Sequence, residues 1–334
     1  MILIIGQQFE LNINRVCEIL DHKRTPWLRL NGEDYPSNTT ASIRLGKDRC
    51  QARINTKDGK SAQVDQVRAV WGRRHGLYSL GDQLHRGRRE FMGKECSATI
   101  LGLYSMFSHA EWMNDYHAEQ RALNKPHQLR IATQCGLLIP ETLITQDPDE
   151  ARAFYREHAG NVLTKAIGQS GYVPGDGVEG HAEIYANKLS EDDYECLDRV
   201  RHGPSMLQAY AEKVLELRVT VVGTRVFATA IESQKSEKTK VDWRRYDNPN
   251  TPYYRYVLPD STSSALIMLM RRLGLEYGAI DLILTPKGEY VFLEVNPGGQ
   301  WGWVENMTGH PIDEAIADWL ILRSGMEERN VAWT

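Results

Sequence analysis

The feature that most restricts this chain lies near its C-terminus, in Gly278-Ala-Ile-Asp281-Leu-Ile-Leu-Thr-Pro-Lys-Gly288-Glu-Tyr-Val-Phe-Leu-Glu294-Val-Asn296-Pro297. Two runs rich in Ile, Leu, Val and Phe flank Thr285-Pro286-Lys287-Gly288, the pattern of a β-hairpin on a four-residue turn. Closing it with Leu284 opposite Glu289 sets Asp281 opposite Phe292. Side chains alternate between faces with period two, so Asp281, Phe292, Glu294 and Asn296 then share one face. Two carboxylates and an amide come together on strands whose other positions read as core. Buried charge without a partner is costly, which makes a cation the natural reason for the cluster. Three hard oxygen donors on rigid strands suit Mg²⁺, which usually shares its coordination with substrate phosphates. The competing reading is a polar sheet face turned to solvent.

The chain is long enough, at 334 residues, for two or three domains with substantial cores. A net charge of −4 gives no global case for nucleic acid or an anionic membrane as partner. Met1-Ile-Leu-Ile-Ile5 is too short for a signal peptide's apolar core, and no apolar run approaches the length of a membrane span. The cysteines Cys17, Cys50, Cys96, Cys135 and Cys196 are scattered and include no CxxC pair. Free thiols in a reducing cytoplasm are the expectation, without zinc or a disulfide framework.

Three domains are expected. Residues 1–115 alternate strand and helix patterns, opening on the apolar run Ile2–Ile5 and closing near a long helix over about Arg88–Phe107. Residues 116–205 continue with a helix over His127–Gln134, a strand at Glu141–Thr145, a helix from Pro148 and a strand at Val162–Ala166. Residues 206–334 are dominated by strands, among them the hairpin, and close on a helix beginning near Pro311. The polar stretch 233–256 reads as a mobile or ligand-dependent loop.

Within this frame Lys125 stands where a helix begins, and Lys165 ends the strand Val162-Leu-Thr-Lys165. After it runs Gly168-Gln-Ser-Gly171-Tyr-Val-Pro-Gly175-Asp-Gly177, able to bring backbone N–H groups close to phosphate. No Walker A sequence and no GxGxxG occurs. Each piece alone is ordinary, since lone lysines are usually solvated and glycine-rich stretches usually turns. Their order is not: lysine, strand-ending lysine, glycine loop, Gln208-Ala209-Tyr210, Glu216-Leu-Arg218, then Asp281, Glu294 and Asn296. From about residue 115 to 325 the chain resembles the ATP-grasp ligases. The resemblance implies an α/β (α+β) ATP-grasp fold, in which an N-terminal α/β pre-grasp domain precedes a central domain and a C-terminal antiparallel-sheet domain that clamp ATP. It implies phosphate contacts from Lys125, Lys165 and Arg218, and an adenine-contacting hinge at Gln208, Ala209 and Tyr210. Lys213 would lie near the ribose, and two Mg²⁺ ions would bind at Asp281, Glu294 and Asn296.

A closer resemblance covers nearly the whole chain and is carried by Ala69-Val-Trp-Gly-Arg73-Arg74, Trp112-Met-Asn114, Asn124-Lys-Pro-His-Gln-Leu129, Ile139-Pro-Glu-Thr-Leu-Ile144, Leu217-Arg-Val-Thr-Val-Val-Gly223, Asp242-Trp-Arg244 and Leu293-Glu-Val-Asn-Pro-Gly-Gly-Gln300-Trp301. It is to the microviridin-type (graspetide) ATP-grasp peptide ligases. That family joins an Asp or Glu carboxylate to a Ser/Thr hydroxyl or a Lys amine within a ribosomally made precursor peptide, consisting of leader and core. The resemblance implies an acyl phosphate intermediate, ADP as product, Arg218 and Arg244 around the transferred phosphoryl group, and a homodimer as a common state. His117, His127 and His310 are candidates for a general base, and Gln300, Trp301 and Trp303 for the acceptor pocket. The basic run from Arg73 to Arg89 reads as solvated charge, or else as a dock for an acidic peptide segment. Two other functions compete: an ATP-grasp ligase that adds a free amino acid to a peptide or protein, and a nucleotide-binding partner protein without turnover.

Overall fold

The computed structural model of the chain describes residues 1–73, 78–81, 84–168, 171–172 and 182–326. The opening strand β1 (Ile2–Gly6) is buried along its whole length, as its unbroken apolar run requires of a strand covered on both faces. After α1 (Leu11–His22) come β2 (Trp27–Asn31), the antiparallel strands β3 (Thr40–Gly46), β4 (Arg49–Asn55) and β5 (Ser61–Gln63), and β6 (Ala69–Gly72). Helix α2 (Arg86–Ser105) and β7 (Glu111–Met113) complete this region. β1, β2, β6 and β7 form a parallel sheet in the order β2-β1-β6-β7. Ile13, Val16 and Leu20 of α1 cover one face, and Leu103, Tyr104 and Phe107 with Ile54 of β4 cover the other.

Next follow α3 (Tyr116–Ala122), α4 (Lys125–Gln134), β8 (Thr142–Thr145), α5 (Pro148–Glu157), β9 (Val162–Lys165), a small ribbon of β10 (Gly171–Tyr172) and β11 (Ala182–Glu183), β12 (Asn187–Lys188), α6 (Glu191–Glu195) and β13 (Ser205–Ala209). Four of these strands make an antiparallel sheet in the order β12-β9-β13-β8. The remainder is β14 (Leu215–Val222), β15 (Arg225–Ile231), β16 (Tyr253–Tyr256), α7 (Asp260–Leu273), β17 (Tyr277–Leu284), β18 (Tyr290–Asn296), α8 (Gly302–Thr308) and α9 (Ile312–Arg323). Its sheet runs β16-β15-β14-β17-β18. One face carries Leu217, Val219, Ile280, Leu282, Phe292 and Val295, packed against α4 and α7. The alternate positions Asp281 and Ile283 lie on the opposite face and line the cleft, with Arg218 beside Asp281 on the same face. Helix α9 returns to the N-terminal sheet, where Ile316 and Leu320 join Ile13 and Trp71 in one core.

The segment 233–256, whose polarity reads as a mobile or ligand-dependent loop, is packed in this structure. It ends in strand β16, and Ser233, Thr239 and Thr251 within it are buried. Thr239 donates to the Ser233 carbonyl at 2.7 Å, and Trp243 stacks on Trp303 with ring centroids 5.1 Å apart. Its hydroxyls take over the work that aliphatic side chains do elsewhere, which is why hydropathy misses the packing. Among the described residues no helix is long and apolar enough to cross a membrane, and all the cysteines are free thiols.

Candidate active site

The hairpin forms, with a register that corrects the expectation twice. Thr285 and Glu289 close the turn, leaving Pro286, Lys287 and Gly288 as a three-residue loop with Gly288 at φ +80°. A left-handed glycine at the third position is what such a loop demands. A bulge between Asp281 and Leu282 then shifts the pairing again, so Asp281 faces Glu294 directly while Leu282 faces Phe292. The two one-residue shifts add to two. Glu294 and Asn296 therefore keep the face of Asp281, whereas Phe292, on the far side of the bulge, turns into the core and is fully buried. Leu293 and Glu294 are consecutive, yet both line the cleft.

That cleft lies between the central and C-terminal sheets, with about 650 Å³ of open space including its mouth. At one end Arg218, on β14 beside Asp281, places Nη1 3.1 Å from both Asp281 oxygens. Glu294 is met by Lys125 Nζ at 3.3 Å, and the same ammonium donates to the Ala166 carbonyl at 2.8 Å. Lys125 gets there because Asn124 caps α4, accepting from the His127 N–H, with Pro126 fixing the first turn. Lys165 reaches the cleft from the end of β9. Arg244 holds Asp242 through Nε at 2.9 Å and Nη2 at 2.6 Å. Burial pushes the Asp281 carboxyl up from its ordinary value, against the pull of Arg218. Burial acts on Glu294 too, but Lys125, Lys165 and Arg244 outweigh it and hold that carboxyl below its ordinary value. Burial draws the Lys165 ammonium down, with Glu294 opposing. Asn296 is exposed at the strand end, its Oδ1 accepting from the Gly298 N–H at 3.0 Å. Facing carboxylates with an amide oxygen beyond them form a hard-donor set that fits Mg²⁺.

At the other end Gln208, Ala209 and Tyr210 make neutral bonds. Gln208 is buried and donates through Nε2 to Thr142 Oγ1 at 2.8 Å. The N–H groups of Ala209 and Tyr210 go to the carbonyls of Glu141 and Asn161, at 2.9 and 2.8 Å. Lys213 lines the cleft, but its ammonium is engaged with Glu216 at 2.8 Å and with the Val241 carbonyl at 3.0 Å.

Several expectations are redirected. His310 bonds the Ala228 carbonyl at 2.9 Å, His117 is exposed, and none of His117, His127 and His310 lines the cleft. Trp301 is core, donating to Asp313 and flanked by Trp71 and Tyr277. Arg73 opens the basic run but is not solvated: it is buried, pairs with Glu10 at 2.7 Å and lies over the Trp301 ring at 4.5 Å. Residues 74–77 and 82–83 of that run, and 169–170 and 173–177 of the glycine loop, lie outside the described residues. Sequence reasoning missed Asp242 as the partner of Arg244. The available signal was their spacing in Asp242-Trp243-Arg244, where Asp242 caps a short turn by accepting from the Arg244 N–H.

Residues 1–120 match the family described as the MvdD pre-ATP grasp domain. Macrocyclase MdnC from Microcystis aeruginosa MRC, solved bound with precursor peptide MdnA, is 30% identical with a TM-score of 0.84, over 96% of this chain and 99% of that one. A RiPP-associated ATP-grasp ligase from Chryseobacterium gregarium, in complex with ADP and a leader and core peptide, is 30% identical with a TM-score of 0.87, over 96% of each chain. Macrocyclase MdnB from Microcystis aeruginosa MRC is 32% identical with a TM-score of 0.78, over 96% of this chain and 98% of that one. No curated protein sequence matches. The fold is that of an ATP-dependent ligase of the ATP-grasp type. Within that class, the chain belongs to the graspetide-type ATP-grasp ligases of RiPP biosynthesis.

Proposed function

We propose that this enzyme forms ester or amide crosslinks between side chains of a ribosomally made precursor peptide, using ATP and two Mg²⁺ ions. The observation that carries the reading is the direct pairing of Asp281 with Glu294 across the bulge, with Arg218 and Lys125 already seated on them. Glu294 stands between Asp281 across the strands and Asn296 along its own strand, and these three side chains would hold the ions. The ions would supply neutralisation of phosphate charge.

This chain's own residues do the rest. Lys125, Lys165, Arg218 and Arg244 stand beside Asp281, Glu294 and Asp242 at this end, so a triphosphate would meet cations already gathered there. Phosphoryl transfer calls for positioning and charge neutralisation rather than covalent help from the protein. The γ-phosphoryl group passes to a substrate carboxylate oxygen and ADP leaves. A Ser/Thr hydroxyl or Lys amine then attacks the acyl carbon, loses its proton, and phosphate departs. Arg244 sits on the segment packed by Trp243 against Trp303, and Asp242 accepts from the Ala186 N–H of the central region at 3.0 Å. That segment bridges the two sheets, which supports a role in excluding water during acyl transfer. With the Ala209 and Tyr210 N–H groups taken, backbone reading of adenine falls to carbonyls of the hinge and to Ala211.

The test is incubation of the enzyme with Mg·ATP and candidate precursor peptides, followed by mass spectrometry and ADP detection. The expected result is loss of one water per crosslink with ADP formed in step. A mass gain by one amino-acid residue would select free-amino-acid ligation instead. Nucleotide binding without ADP release on any peptide would select the partner-protein reading.

A further inference from the structure

Strand β18 is the outer strand of its sheet, so the backbone carrying Glu294 and Asn296 has no neighbouring strand on one side. Beyond an isolated bridge from Leu138 to Val291, that edge is closed by side-chain amides. Gln128 lies one turn after Lys125 on α4 and is only 2% exposed. Its Oε1 accepts from the Val295 N–H at 2.9 Å and its Nε2 donates to the Val295 carbonyl at 2.8 Å. Nε2 also donates to the Ala122 carbonyl. One carboxamide thus makes both hydrogen bonds that a paired strand would make with the residue between two metal-ligand candidates.

Asn114, after strand β7 and also 2% exposed, meets the backbone two residues further along and pairs with both backbone groups of Tyr277 on β17. It donates to the carbonyls of Pro297 at 3.2 Å and Tyr277 at 2.9 Å. Its Oδ1 accepts from the N–H groups of Glu276 and Tyr277, at 2.8 Å each. Every donor and acceptor of the amide is used, and the exit of β18 is tied to the start of β17. Neither amide lines the cleft.

Given the metal reading proposed above, on which this rests, we infer that Gln128 and Asn114 are positioning residues that fix the backbone on both sides of Asn296, so that Glu294 and Asn296 present their oxygens to a divalent cation. Ligand aim must be held to a fraction of an ångström, and an edge strand left to itself frays. Gln128 also shares its helix with Lys125, so one rigid element sets both the lysine and the strand it contacts.

The test compares ADP binding by calorimetry, with and without Mg²⁺, and Mn²⁺ binding by electron paramagnetic resonance in the presence of ADP. The full chain is used, alongside Gln128→Met, Gln128→Glu, Asn114→Asp and the core variant Leu266→Ala. In Gln128→Met and Asn114→Asp the Mg²⁺-dependent gain in ADP affinity should fall about tenfold or more, with metal-free affinity held within about twofold. Gln128→Glu keeps the acceptor for the Val295 N–H but turns a carboxylate oxygen toward the Val295 and Ala122 carbonyls, so it should lose at least as much of the gain, a second reading of the same contact should the methionine variant not fold. Leu266→Ala lowers Tm from the core beneath the same sheet and should leave the gain intact. Variants that retain the full gain, or lose no more of it than Leu266→Ala, would overturn the positioning role. A wild-type protein with no Mg²⁺-dependent gain would instead overturn the metal reading itself.

Discussion

At the proposed metal end of the cleft Asp281 and Glu294 are held by Arg218 and Lys125, whereas at the proposed hinge end Gln208, Ala209 and Tyr210 spend their polar groups on neutral bonds to Thr142, Glu141 and Asn161. The hinge end does contain charges, Lys213 and Glu216, but these are buried against each other. The contrast defines two ways of receiving one ligand. A base can slide between neutral walls without disturbing them. On the reading proposed above, a triphosphate with divalent ions would exchange partners here, the cations turning to phosphate and the carboxylates becoming free to hold metal. The ion pairs at 3.1 and 3.3 Å keep that end from standing as bare like charges before exchange.

Removing a carboxylate at the metal end should therefore have the largest effect. Asp281→Asn and Glu294→Gln keep side-chain shape, and each should lower turnover on the order of 10³-fold with little change in circular dichroism. Near-normal ADP formation in either variant would mean that the two ends do not differ as described. Arg244 comes next: its guanidinium is held by Asp242, and on the proposed reading it would turn to phosphate once nucleotide binds. Arg244→Met should reduce kcat about a hundredfold while ADP affinity changes far less. Equal loss in both would make it an ordinary ground-state phosphate contact.

The hinge end should respond through stability. Lys213→Met leaves the buried Glu216 carboxylate without its cation, and should cost about 3 kcal/mol in denaturant unfolding. The pair Lys213→Met with Glu216→Leu should recover most of that loss. If the double variant instead loses ATP binding outright, Lys213 serves the nucleotide directly and the hinge is not neutral.

How much of this could be seen in the sequence follows the same division. The hairpin was legible because alternation and a Pro-x-Gly turn are local signals, and Asp281, Glu294 and Asn296 do share a face. The bulge was not, since which residue is doubled depends on how Phe292 seats in the core against α4 and α7. Lys125 and Lys165 could be placed from element ends. Their partners could not, because the contact from Lys125 to Glu294 joins residues far apart in the chain. Gln128 and Asn114 stood within quoted motifs, yet an amide's task is set by the backbone it meets. The packing of segment 233–256 is hard to see in sequence because it rests on hydroxyl bonds that hydropathy does not register.

The smallest effect concerns Glu119, behind the metal end, which breaks the rule that carboxylates there are closely paired. It lies on α3, where a side chain added at Gly298 would meet its Oε1 at 3.7 Å and Asn296 Oδ1 at 3.8 Å. Burial pushes its carboxyl up to about 7, with Arg73 pulling the other way. The folded value is raised, so the fold favours the neutral acid. Its contribution to stability is complete below the ordinary value of 4.5 and is lost as pH climbs to about 7. Glu119→Gln mimics the neutral form and should flatten the fall of Tm across that window, leaving the variant on the order of 2 °C more stable at pH 8. Parallel Tm profiles for the two proteins would show that Arg73 keeps Glu119 charged throughout, and that pairing extends behind the metal end as well.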